Sequence, residues 1–206
     1  MQVNPLFFSF DGIDGCGKST QAGMFRQWLG EAGHEVVACR DPGSTELGEQ
    51  IRRILLAHDG PIDLRAEMLL YMAARAQLVQ EVILPALDSG KTVVSDRYLL
   101  ANVVYQGHAG GLGVDDLWRV GQIAVAGVKP VLTFVLDVEP SVAARRLPAP
   151  GDRMERRGAA FFERARQGFL DEAARSGGSI VVIDGARGVD EVHREVCKLA
   201  GAALRA

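Results

Sequence analysis

The segment Gly12 to Ser19 reads GIDGCGKS: a glycine, four residues, a second glycine, a lysine and a hydroxyl residue. This is the spacing of a phosphate-binding loop. Its glycines let successive backbone N–H groups approach an anion, its lysine reaches the terminal phosphates, and its hydroxyl is a ligand for magnesium. The expected nucleoside-triphosphate-binding set is therefore Gly12, Ile13, Asp14, Gly15, Cys16, Gly17, Lys18, Ser19 and Thr20, with Lys18 catalytic and Ser19 on Mg2+. A dinucleotide fingerprint is the rival reading. It fails because Gly15 and Gly17 are followed by Ser19 and Thr20, with no third glycine where one is required.

Other residues carry charge at informative places. Asp96 and Arg97 end the apolar run KTVVS. They read either as a magnesium-water ligand beside a phosphate clamp or as a structural ion pair. Tyr71 and Arg75 are four apart and share a helical face, as do Asn102 and Gln106. Seven of the 19 arginines fall between Arg145 and Arg166, where an anion could be met. His34, His58, His108 and His193 are scattered and read as surface or structural residues. Cys16, at a helix start beside Lys18, is either a reactive thiolate or an inert small loop residue.

The elements that position these groups follow from hydrophobic pattern. LFFSF before the loop is a short apolar run, and Ala22, Phe25 and Leu29 after it lie on one helical face. EVVAC (35–39), KTVVS (91–95), VLTFVLD (131–137) and SIVVID (179–184) add four strands, with helical patterns at 46–57, 64–87, 99–106 and 114–126. Pro85 is expected to kink or end the helix 64–87. The near-continuous apolar strands are expected to be buried on both faces. Their alternation with helices predicts an α/β fold of the P-loop NTPase type, three layers deep, with a five-stranded parallel sheet and ligands outside the carboxyl ends of the strands. LPAPGD (147–152) reads as the base of a mobile lid over about residues 147–158.

Composition sets the bounds. A chain of 206 residues, 48% hydrophobic, suits one domain over 1–206 with a sizeable core. A net charge of −3 argues against non-specific nucleic-acid binding. Cys16, Cys39 and Cys197 form an odd, widely spaced set without metal-ligand spacing, which fits a reducing cytoplasm. The start of the chain lacks a basic region ahead of its apolar run, and no apolar stretch approaches the roughly 20 residues of a membrane span. A soluble, unprocessed, cytoplasmic protein without membrane partners is expected.

The motifs FDGIDGCGKST, RDPGSTELGEQIR, YMAARAQLVQEVILPAL, SDRYLLANVVYQG and DRMERRGAAFFERARQGF, in that order, resemble the thymidylate kinase family, particularly its bacterial form. The resemblance spans nearly the whole chain. It implies transfer of phosphate from ATP to dTMP, giving dTDP with Mg2+ present, and a homodimer packed through helices. It also implies Asp14 on the sugar 3′-hydroxyl, Arg52 and Arg97 on the acceptor phosphate, and Asp96 on the magnesium shell. Tyr71 would stack on thymine, Arg75 would bond its edge, Asn102 and Gln106 would approach the base, and Tyr105 would lie beside the sugar. With Gly15 and Cys16 leaving the loop without an arginine, Arg153 is the first candidate to stabilise the transferring phosphoryl group, ahead of Arg145 and Arg157. Arg40 is expected to hold the proline-glycine loop. Two positions depart from the family pattern: Asp11 stands where glutamate is common, and Ala101 where serine is.

A phosphate monoester acceptor, with a second pKa of about 6, is already largely dianionic at neutral pH and needs no strong base. Positioning and charge neutralisation would then carry the catalysis. A deoxynucleoside kinase would instead need a general base for a neutral hydroxyl. Arg52 and Arg97 favour the phosphorylated acceptor. A guanine-specific switch would carry an Asn-Lys-x-Asp box, and the chain has no Asn-Lys pair.

Overall fold

Five strands pair in parallel in the order β2-β3-β1-β4-β5: β1 (Phe7–Asp11), β2 (Val36–Arg40), β3 (Thr92–Asp96), β4 (Leu132–Asp137) and β5 (Ile180–Asp184). The structure is a computed structural model that describes residues 6–58, 60–147 and 153–204. Alternating side chains of β1 build a core on each face of the sheet. Phe8 and Phe10 meet Phe134 of β4 and Phe25 of α1 (Lys18–Glu31), with Val196 of α9 (Val189–Ala203) in the same cluster. The Phe8 and Phe25 rings meet edge to face, 5.1 Å apart. Phe7, on the opposite side, packs with Val93, Leu78 of α3 (Leu64–Leu78) and Leu117 of α6 (Val114–Val125). Helices therefore cover both faces, giving the three-layer α/β/α architecture.

The central strands β1, β3 and β4 are almost wholly buried, whereas β2 and β5 are half-exposed, with Val182 at 40%. Burial on both faces, expected for all five strands, thus holds only for the middle three. As edge strands, β2 and β5 lack one neighbour and their helices cover them incompletely.

The long helix also departs from expectation. Past α3 the chain adopts a π-helical turn over Val79–Ile83 and continues as α4 (Leu84–Asp88), with Pro85 in its first turn. A proline has no N–H and crowds the preceding carbonyls, so a widened turn just ahead of it removes the clash without breaking the rod. A second π segment, Val103–His108, extends α5 (Leu99–Asn102) and carries Tyr105 and Gln106. Among the described residues, the remaining α-helices are α2 (Glu46–Ala57), α7 (Pro140–Arg146) and α8 (Ala159–Arg175). Thr45 caps α2, its hydroxyl accepting the Gly48 N–H at 2.9 Å.

The registers decide what meets at the carboxyl edge. Phe10 lies opposite Asp96, Asp11 opposite Val135, and Arg40 opposite Asp96. The ends of β1, β2, β3 and β4 are therefore level, and the loops that leave them converge. β1 is also where the strand order switches sides, the place such sheets hold ligands.

Candidate active site

The loop after β1 is shaped by contacts only glycine tolerates. Gly12 has φ 133°, and a Cβ there would lie 2.7 Å from the Leu136 carbonyl oxygen and 2.8 Å from Cys16 Sγ. At Gly15, φ 82°, a Cβ would collide with the Ala143 carbonyl. The Cys16 N–H donates to Ile13 O at 3.2 Å, closing the turn, and α1 starts at Lys18. Its first N–H groups thus open into a cavity of about 430 Å3 lined by Gly15 to Thr20. Arg146, Gly185 and Arg187 form the opposite wall. Ser19 Oγ donates to Asp96 Oδ2 at 2.5 Å, joining the loop to the end of β3.

A second cavity lies on the other side of the loop. It is lined by Asp14, Arg52, Tyr71, Arg75, Arg97, Asn102, Tyr105 and Gln106, and the structure thus brings together all eight residues expected around an acceptor. Asp41, Pro42, Leu56, Ala101 and Met154 complete the wall. At position 101 the cavity meets a methyl group in place of a hydroxyl. The loop after β2 is braced from two sides: Arg40 pairs with Glu49 at 2.9 Å, and Arg52 Nη1 donates to Pro42 O at 3.0 Å.

Asp14 ties the two cavities together. Its Oδ1 accepts Lys18 Nζ at 3.1 Å and Arg97 Nη2 at 2.6 Å, and its Oδ2 accepts Tyr105 Oη at 3.5 Å. Burial opposes ionisation of Asp14, but Arg97 and Lys18 outweigh it and hold the carboxyl well below the usual carboxylate range. Arg97 occupies the left-handed region, φ 70°, a conformation a non-glycine residue holds only when its surroundings enforce it. The enforcing contacts are its N–H to Phe10 O at 2.9 Å, its carbonyl to Ser95 Oγ at 2.6 Å, and its guanidinium to Gly12 O at 3.2 Å. The guanidinium also lies 5.0 Å from the centre of the Tyr105 ring.

Asp11 sits beneath this cluster at the end of β1, completely buried, and neither carboxyl oxygen has a hydrogen-bond partner among the described residues. Burial pushes its pKa from 3.8 to about 8, against the lowering influence of Arg97. Cys16 is also buried, at 1% exposure, and burial raises its thiol despite the nearby Lys18. Of the two readings of Cys16 the structure favours the inert one: the helix start favours the anion, but the sulfur packs against Gly12 away from water.

Arg153 is held by α2 and α3. It lines neither cavity; its Nε donates to Leu55 O at 2.7 Å and its Nη2 to Glu67. Arg157 joins it on Glu67 at 2.8 Å, and Arg145 is exposed and lines neither cavity. The arginine that reaches the loop cavity from this part of the chain is Arg146, at the end of α7, where its Nη1 donates to Gly185 O at 3.1 Å. Helical phase is the reason, because neighbouring residues on α7 point about 100° apart. Of the predicted lid, 148–152 lie outside the described residues.

Sequence reasoning missed Asp41, Glu67, Arg146 and Arg187. Asp41 stood within the RDPG motif, and Glu67 precedes Tyr71 and Arg75 at the same interval of four, a signal available in the sequence. None of the four histidines lines either cavity.

A family model described as thymidylate kinase matches residues 10–196. The chain belongs to the thymidylate kinase family. It is 43% identical over 195 residues to a thymidylate kinase of Kosmotoga olearia, covering 94% of each chain. It is 42% identical over 204 residues to one of Clavibacter michiganensis, covering 98% of this chain and 97% of that one. Among solved structures, a thymidylate kinase from Ehrlichia chaffeensis superposes with a TM-score of 0.80 at 29% identity, covering 96% of this chain and 99% of the other. The reaction of this thymidylate kinase-family chain is phosphoryl transfer from ATP to dTMP, yielding dTDP. No described helix is long and apolar enough to cross a membrane.

Proposed function

We propose that the cavity beside Gly15 to Thr20 takes the ATP phosphates and that the cavity beside Arg97 takes dTMP. The observation that carries this division is the position of Asp14, a loop carboxylate that faces the second cavity while bonded to Lys18 of the first. Lys18 would neutralise the transferring phosphoryl group, and Arg97 with Arg52 would hold the acceptor phosphate. Tyr71 would stack on the base, Arg75 and Asn102 would read its edge, and Tyr105 would fill the space beside the sugar's 2′-carbon. Arg146 supplies the positive charge from the far wall of the donor cavity.

Ser19 and Asp96 fit a magnesium ion. They offer hard oxygen ligands, and Mg2+ takes one or two protein oxygens alongside phosphates and water rather than a full protein cage. Among the described residues no cluster of three His, Cys, Asp or Glu competes for that role. When bound, the ion would neutralise phosphate oxygens of the donor.

A homodimer is supported by apolar residues left exposed on three helices: Leu47 and Ile54 on α2, Leu69 on α3, and Ile123 on α6 at 81%. Three free cysteines agree with residence in a reducing cytoplasm.

The test is a screen of nucleoside monophosphates with ATP. The expected order is dTMP, then dUMP, which lacks only the methyl group, with UMP and dCMP well behind. A 2′-hydroxyl would crowd Tyr105 and find no partner. If UMP equals dTMP, the acceptor assignment is wrong even if the phosphate loop works as described.

A further inference from the structure

Glu67 belongs to no motif and has no part in the reaction described above, yet its carboxylate is completely buried on α3. It accepts Gln106 Nε2 at 2.8 Å on one oxygen, and Arg157 Nη2 at 2.8 Å together with Arg153 Nη2 on the other. From Glu67 a hydrogen-bond chain runs along the wall of the acceptor cavity. Asn102 Nδ2 donates to Gln106 Oε1 at 2.6 Å, Arg75 Nη1 donates to Asn102 Oδ1 at 3.1 Å, and Arg75 Nε donates to Asp41 Oδ2 at 2.5 Å.

The two amides in this chain lie between groups of fixed polarity. A carboxylate paired with guanidinium groups only accepts, and a guanidinium only donates. Gln106 must therefore turn its NH2 to Glu67 and its oxygen to Asn102. Asn102 in turn gives its NH2 to Gln106 and its oxygen to Arg75. The orientation of both amides follows from the charges at the two ends.

We infer that Glu67 is a positioning residue for base selection: acting through Gln106, it reinforces the polarity that Arg75 sets on Asn102 from the other side, so that the cavity wall presents an acceptor beside the Arg75 donor. This rests on the reading of that cavity as the dTMP site. Thymine carries the complementary pair, an N3–H donor next to the O4 acceptor. Cytosine carries the inverse pair, an unprotonated N3 next to an amino group. A glutamine at position 67 both donates and accepts, so Gln106 could turn its NH2 toward Asn102. Only Arg75 would then oppose inversion of Asn102, and the wall would lose its single polarity.

The experiment measures kcat/KM for dTMP and for dCMP, at fixed ATP, in the unmutated chain, Glu67→Gln, Glu67→Asp and Gln106→Leu. A buried mismatch of donors is worth about tenfold or more, so the dTMP:dCMP ratio should fall about tenfold in Glu67→Gln. Gln106→Leu, which cuts the chain without touching Arg153 or Arg157, should lower the ratio similarly and serves if the first variant does not fold. Glu67→Asp, still only an acceptor, should keep most of the preference. A ratio unchanged in both Glu67→Gln and Gln106→Leu, with the two substrates losing activity in parallel, overturns the inference and leaves Glu67 a structural anchor. Failure of the unmutated chain to prefer dTMP would instead overturn the acceptor assignment, independently of Glu67.

Discussion

Asp14 Oδ1 lies 2.6 Å from Arg97 Nη2, so a carboxylate of the phosphate loop holds an arginine that lines the second cavity. The same oxygen accepts Lys18. One negative charge thus aligns two cations that must otherwise repel each other, Lys18 on the loop cavity and Arg97 on the second cavity. Such prealignment lowers the reorganisation needed when the transition state forms.

Asp14→Asn tests this relationship. The amide keeps the shape and one acceptor but loses the charge that balances Lys18 and Arg97. The expected result is a loss of roughly 10- to 100-fold in kcat/KM for dTMP, with a smaller change in the KM for ATP. Steady-state kinetics with each substrate varied in turn would show it, and an equal loss on both substrates would place Asp14 in loop folding instead.

Lys18→Ala should reduce turnover by about three orders of magnitude, the scale of losing a charge-stabilising donor, while the fold persists. Lys18 is buried, but its ammonium group bonds within the loop, to Ile13 O and Asp14. ADP release and far-ultraviolet circular dichroism on the same sample separate the two effects. Near-normal turnover would remove the loop from the reaction.

Much of this site was legible in the sequence because its chemistry is carried by short-range spacing. Gly12 to Gly17 forms one loop that runs directly into α1 at Lys18, and the intervals Tyr71–Arg75 and Asn102–Gln106 stay within single rods, so period and motif anticipated their placement relative to one another. What was not legible depends on contacts between distant segments. Arg153 meets Glu67 across 86 residues, and no local pattern distinguishes Arg146 from Arg145. Cys16 illustrates the same limit: its position at a helix start was visible, but its burial beneath Gly12 is tertiary. The π turns at Val79–Ile83 and Val103–His108 were not read from the sequence either.

The two arginines should respond differently to removal. Arg146→Ala opens the wall of the donor cavity and is expected to raise the KM for ATP and lower kcat. Arg153→Ala releases Leu55 and Glu67, behind the acceptor cavity, and should act mainly on the KM for dTMP. A large fall in kcat alone for Arg153→Ala would return that residue to the transferring phosphoryl group.

Alkylation should discriminate among the cysteines in the reverse of the order that helix position suggests. Burial raises the Cys16 thiol, and Cys39 is likewise buried with its pKa pushed up to about 12. Cys197 is only partly buried and is pushed up to about 11. Iodoacetamide at pH 7.5 should therefore label Cys197 first, and ATP should make little difference to the rate at Cys16. Peptide mapping by mass spectrometry gives the order; rapid labelling of Cys16, blocked by ATP, would restore the reactive thiolate.

Asp11 should make stability depend on pH in a direction opposite to that of an ion-paired carboxylate. Its pKa rises from 3.8 to about 8 on folding because burial disfavours the charge and its oxygens have no partner among the described residues. Between those values the folded chain holds a proton that the unfolded chain has released. Stability from this group is thus fully present below about pH 4, falls as pH rises, and levels off above pH 8. Asp11→Asn carries no such proton, and every other titrating group is common to both chains. The difference in unfolding free energy between wild type and Asp11→Asn should then shift in favour of the variant by up to about 1.4 kcal/mol per pH unit. How well the amide packs sets the offset between the two curves, but only the proton sets the slope. Urea unfolding of both proteins at pH 5, 6 and 7 measures it, and parallel curves would mean that Asp11 keeps an ordinary carboxylate pKa through a partner, such as an internal water, that neutralises its burial.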